Sequence, residues 1–161
     1  MPTQTTTSTP LDTRPMPVQA KLAAAWTSLM FLVIYIDYYH LYQPGEIDAI
    51  SRGVIFEFDI SGSLMSVFFV IIAIPALMVM LSAALPRRAN RLTNLIVASI
   101  YIPIMVFNAA GATPDYAFYY ALTIGVELAI LAVILRWAGT WPRTAAAAAG
   151  ATTSDRRPVS A

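Results

Sequence analysis

The chain has 161 residues, of which 58% are hydrophobic and 12% charged, with a mean hydropathy of +0.64. A water-soluble domain carries about 25% charged residues, so there are too few here to cover a surface in water. The net charge of +1 gives no electrostatic case for nucleic acid, and the lack of cysteine removes disulfides, thiolate metal sites, iron–sulfur clusters and cysteine nucleophiles together.

Residues 1–18 are rich in Thr, Pro and Gln, show no apolar period, and read as a disordered tail. The apolar run after Lys21 leads into Tyr35, Asp37, Tyr38, Tyr39 and His40 rather than into a small-residue cleavage site. It is therefore expected to stay attached as a first membrane span, Leu22 to Tyr42. The second span, Ser61 to Leu85, and the third, Leu92 to Ala110, carry no charge; the fourth, Tyr116 to Trp137, carries one acid, Glu127. Each run is close to the roughly 20 residues that cross a hydrocarbon core, and none alternates as a barrel strand of about 10 residues would. Residues 19–140 are thus expected to form the membrane domain. Residues 141–161, mostly Ala, Thr and Ser with Arg156 and Arg157, read as a second disordered tail.

Local signals mark the ends of the spans. In Thr113-Pro114-Asp115 the threonine can cap a helix, the proline suits its first position, and the acid sits at the positive end of its dipole. Pro86 follows the second span and Gly139 the fourth. Pro75 and Pro103 lie inside spans two and three, where each removes a backbone donor and is expected to kink its helix. Between spans one and two, Ile47, Ile50, Val54 and Phe58 recur at helical spacing, while Val54, Phe56, Phe58 and Ile60 alternate as in a strand. The preferred reading of 43–60 is a short interfacial helix, either a lid over that end of the bundle or a connector resting on lipid headgroups.

Basic residues fix the expected orientation. Arg14 and Lys21 precede span one, Arg87, Arg88 and Arg91 join spans two and three, and Arg136, Arg143, Arg156 and Arg157 end or follow span four. An even number of spans puts all of these on one side with only Arg52 opposite, against Glu46, Asp48, Glu57, Asp59 and Asp115. The expectation is an all-α integral membrane four-helix bundle in the cell membrane, both termini cytoplasmic.

Ionisable residues at membrane depth are costly and therefore candidates for function. Asp37 and His40, three apart, share one face of the first helix, and Glu127 lies near mid-depth of the fourth. At about 1.5 Å of rise per residue, Asp37 would lie about 10 Å and Glu127 about 16 Å below the outer surface. Tyr116, Tyr120, Thr123 and Glu127 form a polar stripe on helix four, and Asn94, Tyr101 and Asn108 recur at seven on helix three. The expected site is a hydrated pocket between helices one, three and four, lined by Asp37, His40, Tyr101, Asn108, Tyr116, Tyr120, Thr123 and Glu127. Plainer roles exist for each: belt anchoring for the tyrosines, interhelical bonding for the asparagines, and mutual pairing for Asp37 and His40. Arg87, Arg88 and Arg91 could meet anionic lipid heads, although orienting the helices is a sufficient role. A single histidine leaves no di-iron or bis-histidine haem site, and there is no phosphate loop, nucleophile elbow or zinc-protease motif. No catalytic residue, metal or cofactor is expected.

Tyr35-Ile36-Asp37-Tyr38-Tyr39 through Pro44-Gly45, then Ile74-Pro75, then Leu85-Pro86-Arg87-Arg88-Ala89-Asn90-Arg91, together with Glu127, resemble an uncharacterised family of small four-helix bacterial membrane proteins, a domain of unknown function. The resemblance covers about residues 20–138. It implies the four-helix fold and no particular activity; a family role would sit at Asp37, Pro44, Gly45, Pro75, Arg87, Arg88, Asn90 and Glu127. In layout alone the chain is distantly similar to DoxX-type membrane proteins, some of them linked to quinone or thiol redox systems. Three functions follow: handling of a small solute, ion or proton through the outer pocket; a non-catalytic scaffold or partner subunit; and a quinone-linked redox subunit. The expected partners are the lipid bilayer and either further copies or another membrane protein; no nucleic acid is expected, and the small-molecule ligand is undefined.

Overall fold

A computed structural model of the chain describes residues 15–56 and 58–141. The expected tails fall almost wholly outside these residues, as does Glu57. The elements are α1 (Val18–His40), α2 (Glu46–Ser51), β1 (Val54–Ile55), β2 (Phe58–Asp59), α3 (Gly62–Ala84), α4 (Arg87–Phe107) and α5 (Ala117–Thr140). Short 3-10 turns, Asn108–Gly111 and Pro114–Tyr116, join the last two helices. The four long helices are long and apolar enough to cross a membrane.

Several boundaries differ from the expected ones, each for a local reason. The region 43–60 is part helix and part strand: α2 is six residues long, and Val54–Ile55 then pairs antiparallel with Phe58–Asp59. Gly45 (φ +92°) and Gly53 (φ +82°) supply the left-handed backbone that turns the chain into and out of α2. Both patterns read from the sequence are therefore present, one after the other. The arginine segment is not a loop, because α4 starts at Arg87 with Pro86 as its N-cap. Thr113 makes no side-chain cap bond, Pro114 opens a 3-10 turn, and the α-helix starts only at Ala117. Gly139 lies inside α5 rather than beyond it. Ser61 does cap, accepting from the Leu64 amide at 3.2 Å.

The four long helices run alternately up and down. α1 packs along α3 and α5, and α4 packs along α5. Arg91 of α4 donates to the carbonyls of Ala138 (3.0 Å) and Gly139 (3.1 Å), so the start of α4 lies beside the end of α5. These are the orphan carbonyls of a helix C-terminus, and the guanidinium supplies both donors. Lys21 lies 5.8 Å over the Trp137 ring, which places the start of α1 at the same end. Among the described residues this basic end holds Lys21, Arg87, Arg88, Arg91 and Arg136. The opposite, acidic end holds Glu46, Asp48, Asp59 and Asp115 beside Arg52.

The core is largely apolar, but large apolar side chains also cover the outside and the buried face of α4 is partly polar. On α4 the buried face is Asn90, Asn94, Ala98, Tyr101 and Met105, while Leu92, Ile96 and Ile100 face outward. Phe69 and Phe118 are 71% and 81% exposed. Apolar surface on this scale would associate in water, whereas lipid is its natural neighbour.

Asn94 is the hub of the interior. Its Oδ1 accepts from Trp26 Nε1 of α1 (2.7 Å) and from Ser82 Oγ of α3 (3.2 Å), and its Nδ2 donates to Asn90 O and Oδ1 (2.9 and 2.7 Å). Asn90 Nδ2 in turn donates to the Ser82 carbonyl. All four residues are fully or almost fully buried, so each polar atom must find its partner within the protein. Two turns further along from Asn94, the Tyr101 hydroxyl donates to the Ile71 carbonyl of α3. Ile71 is four residues before Pro75, which has no amide hydrogen to offer it. Tyr101 thus satisfies the carbonyl that the proline releases, and its ring packs edge-on against Trp26 at 6.0 Å.

These contacts generate two expectations for thermal unfolding of the purified protein. Asn94→Ala strands the Trp26 and Ser82 donors and should cost about 2–3 kcal/mol, while the exposed Asn108→Ala should stay within about 0.5 kcal/mol; equal effects would remove Asn94 as a hub. Tyr101→Phe should cost about 1 kcal/mol in the native sequence and much less in a Pro75→Ala background, where residue 75 again offers an amide to Ile71. A double-mutant cycle with zero coupling would refute this pairing.

Candidate functional site

Of the ionisable residues within the bundle, His40 lies where α1 ends against the start of α5. The core face of α1, Leu22, Trp26 and Leu29, continues through Val33 to His40 at the last turn, and α5 returns along it. Tyr119 Oη donates to the Ile36 carbonyl at 3.2 Å, and Tyr120 Oη lies 3.2 Å from His40 Nδ1. These two contacts fix the register of the helices and bring His40 down onto α5.

The connecting segment closes over the same histidine. Glu46 of α2 places Oε2 3.2 Å from His40 Nε2, an ion-pair distance at which the ring N–H is not aligned for a hydrogen bond. The ring of Phe56 stacks on the imidazole, 5.3 Å between centroids and 27° between planes. Phe56 occupies the hairpin turn with φ +55°. That conformation costs a side-chain-bearing residue on the order of 1 kcal/mol, and turn and stacking together hold it. His40 is thereby contacted from three sides: by a carboxylate, a phenol and an aromatic face.

Glu127 lies two turns below Tyr120 on the same face of α5 and is 2% exposed. Among the described residues, no side chain hydrogen-bonds its carboxyl. Asp37 lies one turn before His40 on α1 and is exposed. Below Glu127 the interior turns apolar, with Leu131 and Ile134 of α5 among the core residues. Among the described residues, no group of three His, Asp or Glu side chains is placed to hold a metal ion.

Of the residues expected to line the site, His40 and Tyr120 meet, Glu127 lies two turns further along the same face of α5, and Asp37 is exposed on α1. Thr123 lies on the stripe, but its hydroxyl bonds back to the carbonyls of Tyr119 and Tyr120. Tyr116 is half-buried in the turn that precedes α5. Tyr101 faces the α3 backbone and Trp26, and Asn108 is exposed at the end of α4. The cluster is therefore built from α1, α5 and the connecting segment, not from a third long helix, because the polar face of α4 is engaged in the asparagine network. Arg91 is held by the end of α5, whereas Arg87 and Arg88 are exposed. Sequence reasoning missed Glu46, Phe56 and Tyr119. Pro44-Gly45 next to Glu46 was the available signal, since a turn there folds the acid back onto the end of α1; nothing in the sequence pointed to Phe56.

No curated protein and no solved structure matches this chain. A family model, described as a family of unknown function (DUF6326), matches residues 17–148, from the first residues before α1 to beyond the end of α5. The chain is a member of that family, a four-helix protein built to cross a membrane several times.

Proposed function

We propose that this protein handles a small cation or a proton at the acidic end of the bundle, in a cell membrane with the basic end cytoplasmic. The observation that carries the reading is Glu127: a carboxyl 2% exposed within the bundle, with no hydrogen-bond donor for it among the described side chains. A carboxylate at that depth is costly unless a proton or a cation accompanies it. His40 stands at the acidic end of the same seam, two turns of α5 from Glu127 through Tyr120. One ring nitrogen faces Glu46 and the other faces Tyr120, the arrangement of a group that passes a proton or gates a charge. The segment carrying Glu46 and Phe56 acts as the lid. The packed core at Leu131 and Ile134 lies between Glu127 and the basic end, so through-movement requires the helices to part there. The excess of Lys and Arg at the basic end supports the cytoplasmic placement.

Reconstitution tests this. Liposomes holding the protein should equilibrate an imposed pH or cation gradient faster than empty ones, and Glu127→Gln should return the rate to the empty-liposome level while the variant still unfolds cooperatively. Wild-type liposomes that match empty ones for protons, sodium and potassium would refute the proposal. Tyr120→Phe removes only the hydroxyl facing His40. It should slow the flux about fivefold, the kinetic equivalent of one hydrogen bond of about 1 kcal/mol. An unchanged rate would take His40 and Tyr120 out of the path.

A further inference from the structure

On the outer surface of the bundle, α1 and α5 leave a groove of about 610 Å³. Its α1 wall is Lys21, Ala24, Ala25 and Ser28, and its α5 wall includes Gly125, Ala129, Val133 and Trp137. Small side chains on both helices open the space. Ser28 donates its hydroxyl to the Ala24 carbonyl, so the wall it contributes is effectively apolar. The polar feature is at the basic mouth, where Lys21 lies over the Trp137 ring.

We infer that this groove holds one acyl chain of an anionic phospholipid, with Lys21 and Trp137 meeting the headgroup. Three observations select this occupant. The α1 wall runs from Lys21 to Ser28, about 10 Å, and the α5 wall continues to Ala121 and Leu122, so the groove is elongated along the helix axis as an acyl chain is. Lys21 is a cation held in place against an indole at the level where headgroups begin, the usual depth of both residue types. The charge around it has one sign: Arg87, Arg88, Arg91 and Arg136 share that end with no acid among the described residues, and each cation near a membrane surface favours anionic lipid by about 1 kcal/mol. A second copy of this chain fits less well. A two-fold interface centred on the groove would bring each Lys21 to the depth of its partner's Lys21, like charge against like charge.

The full chain, purified in mild detergent, would be offered phosphatidylglycerol and phosphatidylcholine with identical tails, each brominated in the acyl chains, in a competition read by native mass spectrometry and by quenching of tryptophan fluorescence. The expected result is one phosphatidylglycerol retained per chain with at least about a tenfold preference, the equivalent of 1.4 kcal/mol. Lys21→Gln should abolish the preference while leaving chain-length dependence intact. Ala129→Leu, which fills the groove from a lipid-facing position, should lower retention of both lipids and the quenching. Soluble glycerol phosphate should not compete; competition by it would show a plain anion site and overturn the lipid assignment. Equal retention of both lipids by the wild type, an unchanged preference in Lys21→Gln, or a dimer that Ala129→Leu dissolves and that carries no lipid would each overturn the inference.

Discussion

Within lipid no water is available to complete a hydrogen bond, and the interior of this bundle is arranged around that constraint. Asn94 answers it on the largest scale. One amide side chain receives donors from α1 and α3 and gives its own to Asn90 on α4, so three of the four long helices share one satisfied set of polar atoms. The Pro75–Ile71–Tyr101 arrangement answers it locally, with a hydroxyl from the neighbouring helix replacing the amide that proline lacks. Arg91 answers it a third time at the end of α5.

With the polar interior of α4 committed to holding helices together, the remaining buried ionisable group stands apart. Glu127 belongs to the seam between α1 and α5, which is also where the connecting segment folds back over the bundle. The molecule differs along its length: a hydrogen-bonded basic half in which Trp26, Ser82, Asn90 and Asn94 pack with Leu131 and Ile134, and an acidic half in which His40 meets Glu46 and Tyr120. The asparagine network and the His40 contacts thus lie at opposite ends, so substitutions in one need not disturb the other.

The α1–α5 seam carries two features. Near the acidic end it is closed by Tyr119 and Tyr120 reaching across to α1. On the outer surface of the bundle it opens into a groove, because Ala24, Ala25 and Ala129 are too small to fill the space between the helices. A lipid chain in that groove would brace the seam from the side opposite the asparagine network, and occupancy would then bear on how easily α1 and α5 part beneath Glu127.

The four spans, their alternating direction and the segregation of charge were legible in the sequence, because the cost of placing charge in hydrocarbon leaves few arrangements of long uncharged runs and clustered arginines. The candidacy of Asp37, His40 and Glu127 was legible for the same reason. What His40 meets was not, since a helical period gives the face of a residue but not the neighbour that the face will meet. Tertiary structure decided that α5 rather than α4 lies against the acidic end of α1, that Tyr101 serves a backbone carbonyl instead of a pocket, and that Asn94 binds Trp26 across the bundle. It also decided that residues 54–59 pair as strands after a short helix, where two periodicities of similar strength coexist in the sequence and only the turn geometry at Gly53 and Phe56 separates them.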